Sequence, residues 1–162
     1  MAAHTMGTST LDISPTASAL NTLGLTFKLY ADRFAGTIPV SVSGNSPQPA
    51  PKYPVGGDQP RINSGSPTYP LDVFAALTPD RRHVMVAVVN ATETARSLEL
   101  QFSGTKRTAP GTLWQITAAS LEAANRAGAP AEVEIKESPA AGEGPLSIAP
   151  ISINVYRFPV TE

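Results

Sequence analysis

The segment LDVFAALTPDRRHVMVAVVN, residues 71–90, decides the fold class. Leu71–Leu77 and His83–Asn90 are each rich in β-branched and other apolar residues, and Thr78-Pro79-Asp80-Arg81-Arg82 separates them. Proline followed by aspartate is turn chemistry: the ring presets φ, and the carboxylate bonds to the backbone just beyond it. The segment is therefore an antiparallel hairpin. Its second arm, HVMVAVVN, is almost continuously apolar, which predicts a central strand covered on both faces.

Outward from the hairpin, the same kind of segment recurs. Thr37–Ser43 (TIPVSVS) and Ser97–Phe102 (SLELQF) alternate, and Gly111–Thr117 (GTLWQIT) holds the sole tryptophan, Trp114. Val133–Glu137, Leu146–Ile148 and Ile151–Phe158 (ISINVYRF) complete the set, with a short helix or turn at Ser120–Asn125. Strands about ten residues apart, with no helices between them, predict an all-β antiparallel sandwich.

One helix is expected, near the N-terminus. Ser14 can cap it and Pro15 suits its first position. Leu20, Leu23, Phe27, Tyr30 (or Ala31) and Phe34 then recur at three- and four-residue intervals, and Gly36 is placed to stop it. Such a stripe ordinarily packs on a core. Between 44 and 70 lies a long loop with prolines at 47, 49, 51, 54, 60, 67 and 70, which leaves little room for ladder pairing.

Composition narrows the function classes. The 162 residues suffice for one domain, and the 41% hydrophobic content is that of a folded chain. Twelve basic and thirteen acidic residues, for a net charge of −1, give no reason to expect nucleic acid or an anionic membrane as partner. The absence of cysteine excludes disulfides and thiol chemistry. Sixteen prolines and twelve glycines fit short strands joined by turns. Met1–Thr10 has no secretory pattern and reads as an artificial start, so the compartment, cytoplasmic or secreted, stays open.

Little in the chain reads as reactive. Glycoside hydrolysis needs two carboxylates facing each other across the bond. Asp58 and Asp80 sit in loop and turn contexts, and Glu132 and Glu134 beside Lys136 read as a solvated face. His4 and His83 lack carboxylates at ligand spacing, so no metal site and no cofactor is expected. Asn90-Ala91-Thr92 matches a glycosylation sequon only as a pattern. Three aromatic residues are candidates for stacking on a sugar. Trp114 is either such a platform or, more commonly for its type, core; Tyr53 and Tyr69 either face a sugar or pin the long loop.

The order of these segments resembles family 51 α-L-arabinofuranosidases where the last barrel helix passes into a C-terminal sandwich. LTFKLYADRFAGTIPVSVS (25–43) resembles that junction. LDVFAALTPDRRHVMVAVVNATE (71–93), LWQITAASLEAAN (113–125) and APISINVYRF (149–158) are similar to successive parts of the sandwich. The resemblance implies a jelly-roll-like β-sandwich over residues 37–162, with a long Pro-rich loop at 44–70, preceded by a tail and helix (1–36) that end a missing (β/α)₈ barrel. It implies a parent that removes arabinofuranosyl groups from arabinoxylan or arabinan by retention, both catalytic glutamates lying in the barrel. Neither of their motifs occurs here, so no catalytic residue transfers. A short N-terminal segment that joins the sandwich in the family is also missing. The stripe Leu20, Leu23, Phe27, Tyr30, Phe34 is then expected to face the barrel; alone, it folds back on the sandwich or stays exposed and invites self-association.

The leading expectation is therefore a non-catalytic accessory domain of a bacterial hemicellulose-degrading glycoside hydrolase. An independent carbohydrate-binding module for plant cell-wall polysaccharide is the alternative, and an autonomous enzyme is third.

Overall fold

The computed structural model describes residues 10–45, 68–120 and 122–161. Among them are eleven strands and one helix. The hairpin expected at 71–90 is present as β4 (Asp72–Leu77) and β5 (His83–Asn90), paired antiparallel from Asp72↔Val89 to Leu77↔Val84. Its turn is held as the sequence suggests. Asp80 Oδ1 accepts from the Thr78 hydroxyl at 2.6 Å and from the Arg82 N–H at 3.1 Å.

The principal sheet runs β3 (Ile38–Val40), β4, β5, β11 (Ser152–Thr161), β8 (Gly111–Thr117), β9 (Ile135–Ala140). A short strand, β7 (Lys106–Arg107), pairs with the end of β11. All pairings are antiparallel. β5 and β11 form its centre, and their near-continuous apolar sequences follow from burial on both faces. One face carries Val84, Val86, Val88, Tyr156 and Phe158. It packs against a two-stranded sheet of β6 (Arg96–Leu98) and β10 (Leu146–Ile148), together with Leu100 and Phe102. This is the expected all-β sandwich. Burial pushes the Tyr156 hydroxyl up to about 12.

The opposite face carries Met85, Ala87, Trp114, Ile116 and Val155. Helix α1 (Thr22–Phe34) covers it with Leu25 and the fully buried Leu29, 1% exposed, and Val133 adds to the same cluster.

Several element boundaries differ from the sequence reading. The helix starts at Thr22, capped by Asn21, whose side chain accepts from the Gly24 N–H at 2.9 Å. Ser14 and Pro15 belong instead to a hairpin of β1 (Leu11–Ile13) and β2 (Ser18–Leu20). Ser14 closes that turn, with its N–H donating to Ala17 O and its hydroxyl oxygen accepting from the Ala17 N–H. Serine and proline serve a tight turn as readily as a helix start, and pairing of the flanking strands selects the turn. Leu20 accordingly lies on β2, ahead of the helix. A side chain at position 24 would run into Leu20 and the Thr10 carbonyl, so glycine there lets the helix approach the hairpin. The helix does stop where expected: Gly36 adopts φ +72°.

The strand expected at 97–102 shortens to β6, and that at 133–137 moves on to β9, which admits Pro139 because it is an edge strand. The 44–70 loop falls largely in 46–67, outside the described residues, as do Tyr53, Asp58 and the segment 1–9 with His4.

Candidate functional site

Three places gather side chains that could act: the outer side of α1, the surroundings of Trp114, and the end of the sheet near His83.

On α1, the helical repeat puts Leu23, Phe27, Tyr30 and Phe34 in one row, beside the row of Leu25 and Leu29 that enters the core. Tyr30 and Phe34 straddle the two rows: they pack at the margin of the core and stack on each other at 5.4 Å. Phe34 meets Phe74 of β4, also at 5.4 Å. Leu23 (42%), Phe27 (46%) and Phe74 (42%) remain open. The helix thus has two apolar flanks, one engaged by this chain and one free among the described residues. Beside them, burial and then the Asp72 charge raise the Tyr30 hydroxyl above the usual phenol value. On the solvent side, Lys28 bonds Asp32 at 2.6 Å, which holds that carboxyl below its ordinary value.

Trp114 is only 6% exposed. Its Nε1–H donates to Glu137 on the neighbouring strand at 2.7 Å, and the Arg33 guanidinium lies 3.9 Å from its ring centroid. With the cation over its ring and the core around it, the indole is an internal pillar locking α1 onto the sheet. Tyr69 is separate from it, at the start of β4, and is 41% exposed. The structure does not bring Trp114 and Tyr69 into a shared aromatic platform.

The third place is a shallow cleft of about 200 Å³ lined by His83, Pro110, Gly111, Thr112, Arg157 and Pro159. Arg157 Nη2 is 3.1 Å from one ring nitrogen of His83 and 3.3 Å from the other. A donor in the ring plane could not approach both without striking the carbon between them, so the guanidinium lies across the imidazole face. Burial first, and the Arg157 charge second, hold His83 below the usual imidazole range. This pairing of strands β5 and β11 was not anticipated from sequence; the shared register His83↔Pro159 is what creates it.

A second cleft, of about 290 Å³, lies between Ala118–Ser120 and Pro150–Ile151 and has Glu93 and Glu122 on its walls. Among the described residues no group of three or more His, Asp or Glu side chains is arranged to hold a metal ion. No helix there is long and apolar enough to cross a membrane. The sequon asparagine, Asn90, is 1% exposed and spends its amide internally: it donates to Thr94 O and Ala149 O and accepts from Thr92.

No family model matches the sequence, and no curated protein matches it. Solved structures do match. A family 51 arabinofuranosidase from Xanthomonas axonopodis pv. citri superposes with a TM-score of 0.64 over 93% of this chain and 28% of its own, at 16% identity. An arabinose-bound family 51 α-L-arabinofuranosidase gives 0.63 over 95% of this chain and 22% of its own, also at 16% identity. A further arabinofuranosidase gives 0.56 over 93% and 31%, at 17% identity. The chain thus spans under a third of each of these proteins. It has the fold of one part of the family 51 α-L-arabinofuranosidases: an antiparallel β-sandwich with helix α1 laid on its larger sheet.

Proposed function

We propose that this chain is a non-catalytic accessory domain, jelly-roll in type, of an arabinofuranosidase-like glycoside hydrolase active on hemicellulose, and that it buttresses a catalytic barrel. The supporting observation is the asymmetry of the match: nearly all of this chain corresponds to less than a third of longer arabinofuranosidases. The docking face is the outer row of α1, Leu23, Phe27, Tyr30 and Phe34, extended by Phe74. The helix, within residues 1–36, is then shared between barrel and sandwich, its Leu25–Leu29 row closing the sandwich (37–162) and its outer row meeting the barrel. An apolar row beside a packed one is costly to leave in water and is accounted for by a covering domain.

Double substitution Leu23→Asp and Phe27→Asp tests this. In the longer parent chain it is expected to lower the melting temperature and loosen the domain contact, seen as faster proteolysis between the domains. In this chain alone, whose core it does not touch, folding stability should hold, and any self-association at high concentration should disappear in sedimentation. An unchanged parent would remove the docking role.

An independent carbohydrate-binding module is the second reading, favoured by the openness of Tyr69. Retardation in arabinoxylan or arabinan gels that Tyr69→Ala abolishes would support it; unchanged mobility of the native chain would dismiss it.

A further inference from the structure

We infer that the cleft at the end of β11 binds the carboxylate of a sugar acid. The sequence scatters its twelve Lys and Arg residues, but the strand register brings five of them, with His83, to one end of the sheet. His83 faces Pro159, Lys106 faces Thr161, Arg107 faces Val160, and the Arg82 carbonyl accepts from the Val160 N–H. Arg157 lies two residues before Pro159, and Arg81 is in the adjoining turn.

Among the described residues two carboxylates stand near this group, and Glu162 follows Thr161 in sequence. Asp80 is already engaged by the Thr78 hydroxyl and the Arg82 N–H, and Glu143 follows Gly142, which abuts Pro110. The basic groups outnumber them, in a protein whose net charge is −1. The ion pair formed among the described residues, Lys28–Asp32, is on α1, so these cations remain unneutralised by salt bridges there. Arg107 turns to the other face of the sheet, its guanidinium 4.9 Å from the Phe158 ring centroid, so the cleft itself relies on Arg157 and His83.

The cleft gives this charge a shape. Because Arg157 lies across the His83 face, its orientation is fixed while its N–H edge and the in-plane ring nitrogens stay available. A guanidinium edge matches a carboxylate. The imidazole and the Thr112 hydroxyl both donate and accept, as ring hydroxyls require, and Pro110 and Pro159 offer apolar walls to a sugar's C–H face. At about 200 Å³ the cleft is smaller than the roughly 300–1,000 Å³ of drug-sized sites, which suits one ring. This site lies apart from the α1 row and does not depend on the docking role.

The test is amide chemical-shift mapping of the purified full chain with a trimer of galacturonic acid, neutral arabinotriose, triglutamate and a short single-stranded oligodeoxynucleotide. The acidic trisaccharide should shift residues 83, 111–112 and 157–161. Binding should weaken at least about tenfold in Arg157→Gln, which loses a charge-assisted contact. Thr112→Val, which removes a lining hydroxyl, should weaken it too, and this second variant serves if the first is misfolded; Lys28→Gln, on α1, should change nothing. Absence of shifts, equal shifts from arabinotriose, or no effect of either cleft substitution would overturn the inference. Tighter binding of triglutamate or the oligonucleotide at the same residues would overturn the sugar-acid assignment in favour of a peptide or nucleic-acid surface.

Discussion

At the scale of single residues, two buried asparagines tie separate segments together. Asn125 donates to Leu20 O and Val133 O and accepts from the Glu132 and Val133 N–H groups, tying the end of β2 to the segment before β9. Asn154 donates to Val88 O and Ser152 Oγ and accepts from Gln115. Truncating either leaves backbone groups unpaired in the interior, each worth about 1–3 kcal/mol. Asn125→Ala should therefore lower unfolding free energy by at least about that amount, measured by urea denaturation. Leu29→Ala empties the centre of the contact between α1 and the sheet and is expected to cost about 2–5 kcal/mol by the same measurement. His83 supplies a pH dependence. Its folded pKa is depressed, so between that value and about 6.5 the unfolded chain binds more protons than the folded one. Stability is thus fully present above that range and falls as the pH drops through it. His83→Gln should flatten this slope, checked by denaturation at about pH 7.5 and 5.5. Asp80, held below its ordinary value by the Thr78 hydroxyl, opposes the His83 shift only in part, and its own contribution is lost in stronger acid.

At the scale of elements, α1 is the revealing one. Its apolar row was legible because helical spacing is written directly in the sequence, and Gly36 marked its end. Its inner row was not, because Leu25 and Leu29 matter only relative to the sheet they meet, and the sheet face is assembled from β5, β8 and β11. The same limit explains the start. Ser14-Pro15 is locally ambiguous, and what makes it a turn is pairing of Leu11–Ile13 with Ser18–Leu20. The 71–90 hairpin and β8 were readable to the residue or nearly so, since their turn chemistry and alternation are local. The His83–Arg157 pairing spans 74 positions and leaves no local trace. Hydrogen exchange is expected to rank the elements by the same logic. β5 and β11, paired on both sides, should exchange slowest, and the two-stranded β1–β2 hairpin fastest.

At the scale of the whole molecule, two layers and a helix share one central sheet, with each face claimed by a different cover. Among the described residues the outer row of α1 stays open on one side and the end of β11 on another, and neither offers the facing carboxylates of a glycosidase. Glu93 and Glu122, on the walls of the larger cleft, are the acidic pair to challenge. The decisive measurement is hydrolysis of 4-nitrophenyl α-L-arabinofuranoside by the purified chain, alongside Glu93→Gln and Glu122→Gln. An accessory domain predicts release no faster than the blank for all three proteins. Turnover by the native chain that either substitution abolishes would contradict it and make this domain an enzyme in its own right.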